Sequence, residues 1–130
     1  MPFPISGAGF QVGDGNEAQP NFFIQAEPVV ATTAITATAA QLAVGLFVGT
    51  PAGGVALTLP TVAALETAMQ SLGEKVNVAF LFSVISLAAQ AITVTTNTGW
   101  TLVGGMAVNN TSGRFLARKT GRGTWTLYRL

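Results

Sequence analysis

From Pro28 to Leu65 the chain carries no charged residue, and this run limits its possible folds more than any other feature. A run of that length can cross a bilayer, build a core or lie against another subunit. Seven threonines, three prolines and four glycines divide it, and its apolar residues come in short groups. That pattern argues for short strands and against a membrane span. The rest of the chain is almost as sparse in charge: 49% of residues are hydrophobic and 8% charged, with a mean hydropathy of +0.51. An ordinary soluble domain carries about 25% charged residues. A folded monomer of this mass exposes roughly 6,000 Å², and six basic and five acidic residues must keep that surface soluble. Surfaces so poor in charge are usually covered, most often by another subunit. A homo-oligomer, or a subunit docked on a larger assembly, is therefore expected.

The chain has no cysteine and no histidine. Disulfides, thiolate nucleophiles and thiolate metal sites are excluded together, as are the commonest general base and the commonest metal ligand. An enzyme would have to work with serine, threonine, lysine and scattered carboxylates, so no catalytic, cofactor or metal site is assigned. No basic n-region opens the chain, and Pro2 and Pro4 interrupt its start, which argues against a secretory signal.

Residues 1–28 read as an extended arm. Four prolines with Gly7, Gly9, Gly13 and Gly15 defeat both helical and strand periods. Phe3, Phe10, Phe22 and Phe23 are too apolar for a solvated tail. Either the arm anchors these rings on a neighbouring surface, or it is a long loop folded back on its own domain.

Residues 29–130 read as a single β-rich domain. Val29–Thr38 and Gln41–Val48 are expected strands, the second with a possible bulge at Gly45. Val55–Leu59 is a third. Pro60–Leu72 is the one expected helix (about 61–72), with Thr61 as cap, Val62, Leu65, Met69 and Leu72 as its apolar stripe, and Gly73 as its end. Val76–Ile85 is apolar on both alternating faces, the mark of a strand buried on both sides or facing a partner subunit. Ala91–Thr96 follows, then glycine-punctuated strands from Gly99 to Leu130, including a hairpin around Thr120-Gly121-Arg122-Gly123. The fold class is mainly β, a β-sandwich or jelly-roll-like barrel with one short helix.

Candidate motifs are few. Gly7-Ala8-Gly9-Phe10-Gln11-Val12-Gly13 misses the spacing of a dinucleotide loop by one residue, and no strand precedes it. Asp14-Gly15-Asn16-Glu17 offers oxygen ligands but lacks the remainder of a calcium loop. Arg118, Lys119 and Arg122 beside Trp125 form the one basic cluster with a neighbouring aromatic. A pI near 8.3 is low for a nucleic-acid domain, so these groups are expected to be solvated or to pair with acids of another subunit. The acids Asp14, Glu17, Glu27 and Glu66 precede all the basic residues, a polarity that can orient one subunit on another.

Several segments together resemble a module of tailed-bacteriophage structural proteins. They are Ala56–Leu65, Val76–Ile85, Ile92-Thr93-Val94, Gly99–Gly104, Thr111–Phe115 and Thr124–Leu130. The module occurs in capsid decoration (cement) proteins and in some tail appendages, and the likeness covers about residues 55–130. It implies a β-sandwich or jelly-roll-like fold, commonly a trimer, seated on the outer capsid, with the major capsid protein as partner. It transfers no functional residues, since the shared pattern concerns packing. The expectation is a non-enzymatic virion protein assembled in the host cytoplasm, with neither nucleic acid nor membrane as partner. Phe3, Phe10, Phe22, Phe23, Arg118, Lys119 and Arg122 are its candidate capsid or subunit contacts. The alternative is a host-binding or structural module of a tail fibre, with Trp100, Trp125 and Tyr128 exposed to stack on sugars.

Overall fold

The computed structural model describes residues 22–69 and 75–130. Strands β1 (Val29–Val30) and β2 (Ile35–Thr36) open the domain, followed by α1 (Ala39–Val44), β3 (Leu46–Gly49) and β4 (Val55–Thr58). Next come α2 (Val62–Met69), β5 (Ala79–Ser86), β6 (Ala91–Thr95), β7 (Trp100–Val103), β8 (Ala107–Asn109), β9 (Ser112–Gly121) and β10 (Thr124–Arg129). They form a sandwich of two sheets, ordered β1-β3-β5-β9-β10-β7 and β2-β4-β6-β8. The mainly β sandwich is as expected, and both sheets are mixed.

The chain alternates between the sheets. β1, β3 and β5 pair in parallel, with Val29, Phe47 and Val84 in register. β2, β4 and β6 do likewise, with Ile35, Leu57 and Val94 in register. Each of the first three passes therefore lays one strand on each sheet, as in a short two-sided coil. Both helices lie in connections running from the four-stranded sheet back to the six-stranded one, and they pack on each other. The antiparallel β9–β10 hairpin then closes the larger sheet against β5.

Three local expectations are corrected. Val29–Thr38 forms two short strands on different sheets rather than one. Gln41–Val48 is not a single strand, because Thr38 and Gln41 make a capping box that starts α1: Thr38 Oγ1 accepts from the Gln41 amide and Gln41 Oε1 from the Thr38 amide. Gly45 is not a bulge but the left-handed cap of that helix, at φ 80°. In α2 the Thr61 hydroxyl accepts from the Ala64 amide, as its sequence suggests. Residues 70–74, with the expected last turn and Gly73, lie outside the described residues.

Aromatic rings line the inner face of the six-stranded sheet, at least one on each strand from β3 to β7. Phe82 stacks on Phe115 with centroids 5.2 Å apart and meets Phe47 edge-on at 5.8 Å. Phe80 continues the row to Trp125, and Trp125 to Trp100. Leu57, Ile92, Val94 and Val108 face them from the other sheet, with Leu42, Val62 and Leu65 closing the helical side. Arg129 extends the inward side of β10 and donates to the carbonyls of Gly105 and Ala107, its guanidinium lying over the Phe115 ring 5.4 Å from the centroid.

Close stacking of successive passes has a cost at one position. A Cβ on Gly49 would lie 2.4 Å from the Ala31 carbonyl oxygen, a backbone atom that cannot swing aside. Gly49→Ala is expected to lower stability by about 1–3 kcal/mol through overpacking, read as a lower urea midpoint with an unchanged slope.

Candidate protein interface

Strand alternation gives each sheet an outer face, and the two outer faces differ in chemistry. On the four-stranded sheet Thr36, Thr58 and Thr95 stand in register across three strands, beside Ala56, Thr93 and Ala107. That face is threonine and alanine, suited to water. On the six-stranded sheet one row runs Val30, Val48, Ile85 and another Leu81, Leu116, Tyr128, Val103. Between and beside them lie Leu46, Ser83 and Arg114, then Ala79, Arg118, Thr126 and Thr101. Val30 is 69% exposed, and Leu81 and Val103 nearly half. Six strands spaced about 4.8 Å apart make this face roughly 24 Å wide.

The basic hairpin is split by strand alternation. Gly113, Phe115, Ala117 and Lys119 point inward along β9, while Arg114, Leu116 and Arg118 point outward. Arg122 is exposed at the turn to β10. Arg118 lies on the apolar outer face, its guanidinium bonded to Asn77 Oδ1 at 2.7 Å and Tyr128 Oη at 2.8 Å. It is held in place there, beside the Tyr128 ring.

Lys119 is a correction. It was expected as a solvated or intersubunit group, but it is 3% exposed and forms an ion pair with Glu66 of the same chain. Glu66 follows Val62 by one helical turn on α2, so the buried stripe of the helix carries it to the β9–β10 hairpin. Its carboxylate also accepts from the Trp125 indole at 3.1 Å. The hydrogen bond from Lys119 holds the Glu66 carboxyl below the usual carboxylate range, against the opposing effect of burial. The pair ties α2 to the hairpin, and its lysine is withdrawn from the surface.

Phe22 and Phe23 are 86% and 82% exposed, and residues 22–28 are exposed throughout. Phe3 and Phe10 lie outside the described residues. Trp100 and Trp125 are buried, with the Trp100 indole donating to the Pro60 carbonyl at 2.7 Å. Neither can stack on a saccharide from the core. No cluster of metal-ligating side chains occurs among the described residues, and no described helix is long and apolar enough to cross a membrane.

Sequence reading identified β5 as apolar on both faces, but not the two apolar rows, because their members come from strands distant in the chain. It also missed the Glu66–Lys119 pair. The inward period from Phe115 through Ala117 to Lys119 was the available signal. No protein-family model, curated protein or solved structure matches this chain.

Proposed function

We propose that this protein is a non-enzymatic virion structural component, a capsid decoration protein that binds the outer capsid surface as an oligomer, a trimer, and stabilises it. The observation that carries this reading is the unequal chemistry of the two outer faces. A sandwich that keeps threonine on one side and leaves valine, leucine and isoleucine on the other has a side to cover, and copies of itself are the nearest apolar cover. The polar face would then be free to meet water. The resemblance of residues 55–130 to phage structural modules supplies the assembly, with the major capsid protein as partner. Copies joined in one oligomer engage a capsid at several points, and linking weak contacts raises avidity by orders of magnitude. In this reading Phe3 and Phe10 of the arm, with Arg122 at the hairpin tip, make the capsid contacts.

The test is co-sedimentation with purified capsids. The full chain is expected to pellet with them to a fixed stoichiometry, and the Phe3→Ser/Phe10→Ser variant to bind far less. Equal pelleting of the variant removes the arm from the account, and a full chain left in the supernatant removes the decoration role.

A further inference from the structure

Among the described residues, two apolar features without an apolar partner lie close together on the helical side of the sandwich. The first is a pocket of about 460 Å³ between α1, α2 and the start of β5. Leu42 and Leu65 form its floor, and Ala40, Ala43, Ala68 and Leu81 lie at its exposed rim. Among the described residues no charged side chain lines it, and small alanines on the facing helices leave room for a large apolar group. The second is the triplet Phe22-Phe23-Ile24, exposed by 86%, 82% and 99%. One hydrogen bond relates the two. Gln25 Nε2 donates to the carbonyl of Val44 at 2.7 Å, which pins the chain beside α1 one residue from Ala43. The triplet begins three residues from that anchor, within about 11 Å along the chain.

We propose that the Phe22-Phe23-Ile24 segment of a second copy fills this pocket, so that neighbouring copies exchange their arm roots. Four features favour this occupant. Pocket and segment match in chemistry, both wholly apolar. Two adjacent phenylalanines suit a pocket of this volume, whereas one aliphatic side chain would leave much of it empty. Residues 22–28 are exposed without interruption, so the segment extends from the body of its own chain rather than lying in its own pocket. Finally, donor and acceptor sit on the same side of the molecule, so a closed symmetric assembly satisfies every copy at once and leaves no free end to grow a fibre. The proposal rests on the self-association part of the decoration reading but not on the capsid.

The absence of cysteine permits a direct test. Two full-length variants, Ile24→Cys and Ala43→Cys, keep both phenylalanines and are mixed under mild oxidation. A disulfide requires Cα atoms within about 7 Å, and between these two chains it can only be intermolecular. The expected result is a covalent heterodimer far in excess of either homodimer, lost when Ala68→Trp fills the pocket of the Ala43→Cys chain. No excess of heterodimer overturns the proposal. So does an internal disulfide in the Ile24→Cys/Ala43→Cys double variant without crosslinking between mixed chains, which would place the segment in its own pocket. A heterodimer formed by a chain that fails to sediment with capsids upholds the exchange and removes the decoration role alone.

Discussion

Replacing Phe82 by alanine lowers the unfolding free energy by about 3–5 kcal/mol and the melting temperature by roughly 10–20 °C. The size of the effect follows from position. Phe82 is 1% exposed on the inner face of β5, the strand that joins the parallel half of the larger sheet to the antiparallel hairpin. It touches Phe47 on one neighbouring strand and Phe115 on the other, so truncation removes both aromatic contacts and leaves a cavity. Strands on both sides are held by their own hydrogen bonds and cannot collapse into it, which places the cost in the upper part of the range for core substitutions. Against a total stability of about 5–15 kcal/mol, that is a large fraction. Chemical denaturation of the two proteins checks it, and a loss under 1 kcal/mol would show that the aromatic row is not the core of the domain.

Glu66→Gln is the second large effect, about 3 kcal/mol at neutral pH. It removes the charge that compensates Lys119, whose side chain is 4% exposed, while the Glu66 side chain keeps 23% contact with solvent. The partial exposure of the carboxylate sets the expectation at the lower end of the cost of breaking a buried pair. Its pH dependence has a definite sign. The Glu66 carboxyl is held below its ordinary value of 4.5 in the folded chain, so the folded state binds the proton less readily than the unfolded one. The pair's stabilisation is fully present above that ordinary value and is lost as pH falls below it and through the lower value of the folded chain. The gap in melting temperature between wild type and Glu66→Gln should therefore be widest near pH 7 and shrink below about pH 4.5. A gap unchanged from pH 7 to pH 3 would separate Glu66 from the stability of the hairpin.

Part of this fold was legible from the chain alone. β5, β6 and the β9–β10 hairpin follow from period-two alternation and the glycine turn, because their contacts are set by residues near one another in sequence. The start of α2 follows from Thr61 and the Val62–Leu65 spacing. α1 was misread because Leu42, Val44 and Leu46 alternate as a strand does, while the competing signal, Thr38 with Gln41 as a capping box, is local and stronger. The parallel stacking of β1, β3 and β5 was not legible. Nothing in positions 29, 47 and 84 taken singly says that they will be neighbours, since tertiary packing decides that register. The apolar outer face was half legible: Leu81 and Ile85 marked β5 as doubly apolar, but Val30, Val103 and Tyr128 join them only once the sheet is assembled. Lys119 misled for a related reason, since a charge beside Arg118 and Arg122 reads as surface until the strand turns it inward.

The central claim is that the apolar outer face of the six-stranded sheet is covered by other copies of this chain. Sedimentation equilibrium tests it most directly, comparing the full chain with Val103→Lys/Leu116→Lys, two changes on the outer face that leave the aromatic core and the α1–α2 pocket untouched. The account predicts a stable oligomer for the full chain at micromolar concentration. Exchanged arm roots add to the covered face and do not replace it, so the variant is predicted to be a folded monomer at that concentration, with an unchanged circular dichroism spectrum. A full chain that sediments as a monomer at all salt concentrations, or a variant that keeps the oligomer mass, would contradict it.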